Sequence, residues 1–114
     1  MIRKEFIEVN GQPRVRVTFT VPNGLWADAL YLVGDFNAWQ RVAHPFYHDE
    51  RTSQWVITVD LDLGRAYQFR YLRDHDHWLN ESQADAYVVN AYGTDNFVVV
   101  TDPQFKHYCD QKEH

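Results

Sequence analysis

The sequence predicts an all-β sandwich. Apolar residues alternate at period two along most of the chain, turn signals punctuate that alternation at short intervals, and no segment holds a helical period over a useful length. At 114 residues the chain reads as one domain, with room for a single core and too little for a large catalytic scaffold. The expected body is 13–102, preceded by an N-terminal segment 1–12 and followed by a C-terminal tail 103–114.

The elements follow in chain order. Val15, Val17, Phe19 and Val21 recur at period two with Arg14, Arg16, Thr18 and Thr20 between them, the pattern of a half-buried strand with a wet outer face. Pro22-Asn23-Gly24 ends it. Ala29 to Val33 is a short, continuously apolar strand that runs into the turn Gly34-Asp35-Phe36-Asn37. Trp55, Ile57, Val59 and Leu61 share one face of a third strand, closed by Leu63-Gly64. Tyr67, Phe69 and Tyr71 share a face of a fourth, which sets Gln68, Arg70 and Leu72 on the other. Phe97 to Thr101, rich in β-branched residues, is the last strand. Ser82 to Ala86 allows one short turn, and the tail is read as either helix or disordered chain.

Composition narrows the function. The formal charge is −5, with acidic residues spread along the chain, which argues against nucleic acid and against an anionic membrane surface. A neutral polysaccharide is indifferent to that charge. The single cysteine, Cys109, excludes an internal disulfide, and Met1-Ile2-Arg3-Lys4-Glu5 has no apolar signal region, so a cytoplasmic location is expected. Aromatic content is 16%, more than so small a core readily absorbs, because Tyr and Trp need partners for their polar tips.

Some of those rings are therefore expected at the surface. Trp39 ends the polar turn after the second strand, and Trp78 follows the fourth, beyond Asp74-His75-Asp76-His77. Arg70 faces away from the core-directed aromatics of its strand, and a buried Phe97 leaves Asn96 outward beside Val98. Indole covers the apolar C–H face of a pyranose, and an amide and a guanidinium take its hydroxyls, so Trp39, Trp78, Arg70 and Asn96 make a candidate sugar platform. Trp55, in phase with its strand's apolar face, is read as core, and Trp26 as a loop cover.

Leu32-Val33-Gly34-Asp35-Phe36-Asn37-Ala38-Trp39 resembles the opening signature of carbohydrate-binding module family 48. That family is the early-set, immunoglobulin-like domain on the N-terminal side of glycogen branching and debranching enzymes, and the glycogen-binding domain of the AMP-activated protein kinase beta subunit. The likeness continues through Leu63 to Tyr71, Trp78 to Tyr87 and Asn90 to Val100, covering most of Val15 to Thr101. The resemblance implies an immunoglobulin-like sandwich, a free-standing bacterial-type member, that binds α-glucans such as glycogen, starch or maltooligosaccharide without catalysis, cofactor or metal. It implies that Trp39 and Trp78 stack on glucose rings, and that Arg70, standing where lysine is usual, contacts hydroxyls. Thr94 and Asn96, within Gly93-Thr94-Asp95-Asn96, supply further contacts, and Tyr92 packs against the ligand. The turn Asp74-His75-Asp76-His77 is one residue longer than in the kinase subunit.

Three other readings compete. A domain related to, or acting with, a glycoside hydrolase family 13 branching or debranching enzyme would have a glycogen-metabolising enzyme as its partner. Hydrolysis by the chain itself needs two carboxylates flanking a scissile bond in a cleft, and Asp60/Asp62 and Asp74/Asp76 are only closely spaced strand or turn residues. The histidines of Asp74-His75-Asp76-His77 offer metal-ligand chemistry without a fixed third ligand. A protein-interaction sandwich would present its exposed aromatics as a flat apolar patch and not as a polar-rimmed concavity.

Overall fold

A computed structural model describes residues 2–22, 27–74, 77–79, 81, 84–90 and 95–103. The described strands are β1 (Ile2–Val9), β2 (Gln12–Pro22), β3 (Leu30–Gly34), β4 (Tyr47–Asp49), β5 (Gln54–Asp62), β6 (Ala66–Arg73), β7 (His77–Leu79), β8 (Ala86–Val89) and β9 (Asp95–Val100). They form two antiparallel sheets. The first runs β1-β2-β5-β4, and the second β3-β6-β9-β8 with β7 also paired to β6. Read as immunoglobulin strands, this is an A-B-E-D sheet against a C-F-G sheet, with β7 and β8 added to the second. The expected sandwich is therefore the fold.

Alternation fills the space between the sheets. Val15, Val17 and Phe19 on β2 are fully buried, and their cross-strand partners on β5 are Leu61, Val59 and Ile57. Phe69 and Tyr71 of β6 meet them from the second sheet, with Phe19–Phe69 centroids 5.1 Å apart and Phe46–Tyr71 centroids 5.5 Å apart, both edge-to-face. Each such pair contributes about 0.5–1.5 kcal/mol beyond its buried area. Trp55 belongs to this core, as its phase predicts.

The outward face of the first sheet is a polar ladder. Arg14 donates to Asp62 at 2.6 Å, Arg16 to Asp60 at 2.9 Å, and the Thr18 and Thr58 hydroxyls lie 3.1 Å apart. The hydrogen bond from Arg16 holds the Asp60 carboxyl below the usual carboxylate range. Exposed pairs of this kind add little to stability.

The ends are fastened by backbone chemistry. Within segment 1–12, assigned no strand by its sequence pattern, Ile2–Val9 forms β1, which turns into β2 at Asn10-Gly11 with φ of 52° and 78°. Two successive positive φ values are what a two-residue hairpin needs, and Asn-Gly supplies them at low cost. At the β5–β6 corner the Tyr67 hydroxyl accepts from Asp62 N–H at 3.1 Å, much like the tyrosine corner of immunoglobulin domains. Fully buried Thr101 latches the same corner, donating to Asp62 O at 2.6 Å and accepting from Arg65 N–H at 2.9 Å. Lys4 of β1 pairs with Asp85, just ahead of β8, at 2.6 Å and so ties one sheet to the other.

Buried Glu81 follows β7 and accepts a 2.8 Å hydrogen bond from the Tyr71 hydroxyl. Burial, then the adjacent carboxylate, raises the Tyr71 phenol well above its ordinary pKa, so it stays a donor. Tyr71→Phe removes that donor from a carboxylate shielded from water, and is expected to cost about 1–3 kcal/mol. Urea denaturation of the two proteins measures it, and an unchanged midpoint would exclude this bond as an anchor for β7. Among the described residues no helix is long and apolar enough to cross a membrane.

Candidate functional site

The turn after β3 is built to present Trp39. Gly34 crosses β6 so closely that a β-carbon would lie 2.5 Å from Gln68 O and 2.9 Å from Phe69 Cβ, which is why the position is glycine. Phe36 drops toward the core, 6.0 Å from the Tyr67 ring and 6.4 Å from that of Phe19. Asn37 organises the turn, accepting from Gly34 N–H at 3.1 Å and donating to Leu32 O at 2.9 Å. Ala38 and Trp39 then take φ of 56° and 60°, a left-handed pair held by a bond from Trp39 N–H to Gly34 O at 3.0 Å. Non-glycine residues pay for that conformation, and such strain collects where a side chain must be aimed. Asp35 does the aiming: one oxygen accepts from the Trp39 indole N–H at 3.0 Å, the other from Gln68 N–H at 2.7 Å.

Strand register supplies the rest. β7 pairs with β6 so that Trp78 stands opposite Leu72, on the face that also carries Arg70 and Gln68. β9 pairs Phe69 with Phe97, and one step further that register brings Asn96 to Arg70. The Arg70 guanidinium lies 4.8 Å from the Trp78 ring centroid and that of Arg41 lies 5.5 Å from it, both within cation–π range. Asn96 sits in an amide chain, accepting from Asn90 at 3.1 Å and donating to Gln68 at 3.1 Å.

Trp39, Arg41, Arg70, Trp78, Asn90 and Asn96 line one open concavity of about 330 Å³. On the same face of the sheet Val33, Leu72 and Val98 are buried at 1%, 0% and 6% exposure, yet none belongs to the core between the sheets. The face expected to be wet therefore has a dry apolar floor of its own. Arg70 rests on it: its Nε is buried without a hydrogen-bond partner, and burial pushes its guanidinium below the ordinary arginine value. A second concavity, about 340 Å³ beside the β1–β2 hairpin, is lined by Val9, Asn10, Gln12, Arg14 and Asp60 and offers no ring for stacking.

Of the residues singled out in the sequence, Trp39, Arg70, Trp78 and Asn96 come together here. Tyr92 and Thr94 lie outside the described residues, as do Trp26, His75, Asp76 and Cys109. Asp74 is used structurally, accepting from Asp28 N–H at 2.8 Å and Ala29 N–H at 3.1 Å. Sequence reasoning missed Arg41, Asn90, Gln68 and Asp35 as parts of the site. Gln68 shares the face of Arg70, so alternation could have found it. Arg41, on an irregular segment beyond Trp39, carries no periodic signal.

Comparison with known proteins gives one informative relative. Over 81 residues, 70% of its length, the chain is 31% identical to the 1,4-alpha-glucan branching enzyme GlgB of Rhodopirellula baltica. It spans only 11% of that enzyme. No family model matches the chain. The chain is thus a small all-β domain related to a segment of a branching enzyme.

Proposed function

We propose that this domain, related to one part of a branching enzyme, binds α-glucan chains such as glycogen, starch or maltooligosaccharide, without catalysing their conversion, and works beside a glycogen-metabolising enzyme. The observation that carries the reading is the concavity with two indoles, Trp39 and Trp78, at its rim, a guanidinium and an amide chain between them, and an apolar floor. Indole stacking on a sugar face contributes on the order of 1–2 kcal/mol per ring at about 25 cal/mol per Å². Each hydrogen bond adds about 0.5–1.5 kcal/mol net. After association costs the sum corresponds to micromolar-to-millimolar affinity, which a polymer with many equivalent sites converts into firm attachment.

Catalysis finds less support. Hydrolysis needs a protonated acid and a second carboxylate across a cleft. Asp60 and Asp62 instead pair with Arg16 and Arg14 on the outer face of the other sheet, where Arg16 favours the ionised form of Asp60.

Titration with maltoheptaose, followed by NMR at the indole N–H signals, tests the reading. The Trp39 and Trp78 signals are expected to shift in the micromolar-to-millimolar range, and that of core-buried Trp55 to stay in place. Immobile Trp39 and Trp78 signals at saturating sugar would remove the site.

A further inference from the structure

We propose that β8 is the docking edge for a second copy of this chain, and that the pair carries two sugar-binding concavities on one continuous sheet face. The pairing stands on the edge alone, and only its benefit for attachment rests on the glucan reading.

A sheet edge exposes unpaired backbone N–H and C=O groups, which invite another strand unless the edge is very short, charged or covered. β1 carries Arg3, Lys4, Glu5 and Glu8. β4 and β7 are three residues each. Segment 44–46 covers β3: Leu32 N–H donates to His44 O at 2.9 Å, Phe46 N–H donates to Leu30 O at 2.7 Å, and Tyr31 bridges to Pro45. β8 is longer than β4 and β7, has no charge, and pairs only with β9 among the described strands. All four of its residues, Ala86, Tyr87, Val88 and Val89, are exposed, Val89 at 69%. Tyrosine and valine are strand formers. The edge is also held in place, because the Tyr87 ring packs 5.6 Å from that of Phe97 and its hydroxyl donates to Glu81 O at 3.0 Å.

Two observations name the occupant. Antiparallel pairing about Val88 sets Tyr87 of each protomer opposite Val89 of the partner subunit, and aromatic residues facing β-branched ones are favourable cross-strand pairs. Charge points the same way. Copies of a chain with a net charge of −5 repel, so they meet best along a neutral strip. At its head Asp85 is already paired with Lys4 at 2.6 Å, and Asp95 stands one strand back, opposite Val89. The strip is small against the roughly 600 Å² per partner of a lasting interface, so the dimer is reversible.

Strands paired in this way are related by a two-fold axis perpendicular to the sheet, and opposed residues point to the same side. Val88 pairs with Asn96, which lines the concavity, so the concavities of both copies open on one side. From Arg70 on β6 to its equivalent there are five strand spacings, about 24 Å. A glucan polymer spans that gap and holds both copies, which raises attachment without a new contact.

Sedimentation velocity over a concentration series, without sugar, tests the pairing. The native chain is expected to pass from monomer to dimer as its concentration rises, and exchange of the β8 amides is expected to slow in step. Val89→Lys sets an ammonium against Tyr87 of the partner subunit at a position too exposed to matter for folding, and is expected to weaken association tenfold or more. The variant is also expected to lose several-fold in co-sedimentation with glycogen while its affinity for maltotriose, too short to bridge two concavities, stays unchanged. A native chain that remains monomeric at the highest concentration, a dimer that Val89→Lys leaves intact, or β8 exchange independent of concentration overturns the inference. Protection of β8 only on addition of a branching enzyme would assign the edge to that enzyme and overturn it too. Glycogen attachment equal in the two proteins would remove the avidity. A β8 dimer that binds neither glycogen nor maltotriose would uphold the pairing and remove the glucan reading.

Discussion

Trp78→Ala is expected to weaken co-sedimentation with glycogen by tenfold or more and to leave the sandwich folded. One decade of affinity corresponds to about 1.4 kcal/mol. The lost stacking surface supplies most of that by itself. The rest comes from the two guanidiniums beside the ring, which lose the surface that holds them in place and must be ordered anew by the ligand. Folding is spared because Trp78 lies on the short outer strand β7, on the face away from the core, while the link between Tyr71 and Glu81 still anchors that segment. Thermal unfolding of the variant separates the two effects. Native-like sedimentation with glycogen would sink the stacking role.

Gly34→Ala is expected to be the costlier change for folding, at about 3 kcal/mol. The added methyl would sit 2.5 Å from the carbonyl oxygen of Gln68, a backbone atom in the middle of β6, and 3.0 Å from the Phe36 ring. The ring has room to shift, but the strand moves only at the expense of the β3–β6 ladder, so the strain falls at the high end of overpacking costs. Gly11→Ala provides the control. Its methyl meets nothing within 4 Å, and the price there is only conformational, about 1 kcal/mol for losing glycine at a φ of 78°. Urea midpoints for the two variants should rank in that order. Equal losses would refute the close-approach account of the turn.

The strands of the sandwich were legible because alternation over β2, β5 and β6 is regular, and one buried face fixes their phase. β1 escaped that reading. Its residues mix Lys4, Glu5 and Glu8 with Ile2, Phe6 and Ile7, so the pattern is weak, and the hairpin is specified by Asn10-Gly11 more than by periodicity. Alternation also assigns a face without saying what covers it. Leu72 and Val98 fall on the outward side as their phase requires, and they are nonetheless buried. That Trp39 and Trp78 would share one face was expected, but the backbone route that brings them together was not legible, for the same kind of reason. It depends on β7 folding back along β6 at Leu72 and on the left-handed pair at Ala38 and Trp39, neither of which a pattern of apolar residues encodes. The turn signature itself was legible, but the roles within it were not: Asn37 shapes the loop, Asp35 orients the indole, and only Trp39 faces the concavity.

Val33, Leu72 and Val98 have a consequence for how such a domain can change. Because they shelter the face that carries the concavity separately from the interior shared by the sheets, substitutions around the rim need not propagate into folding, and losses at well-separated positions should simply add. A lineage could exchange the rim arginines and amides for other groups while the scaffold beneath kept its stability.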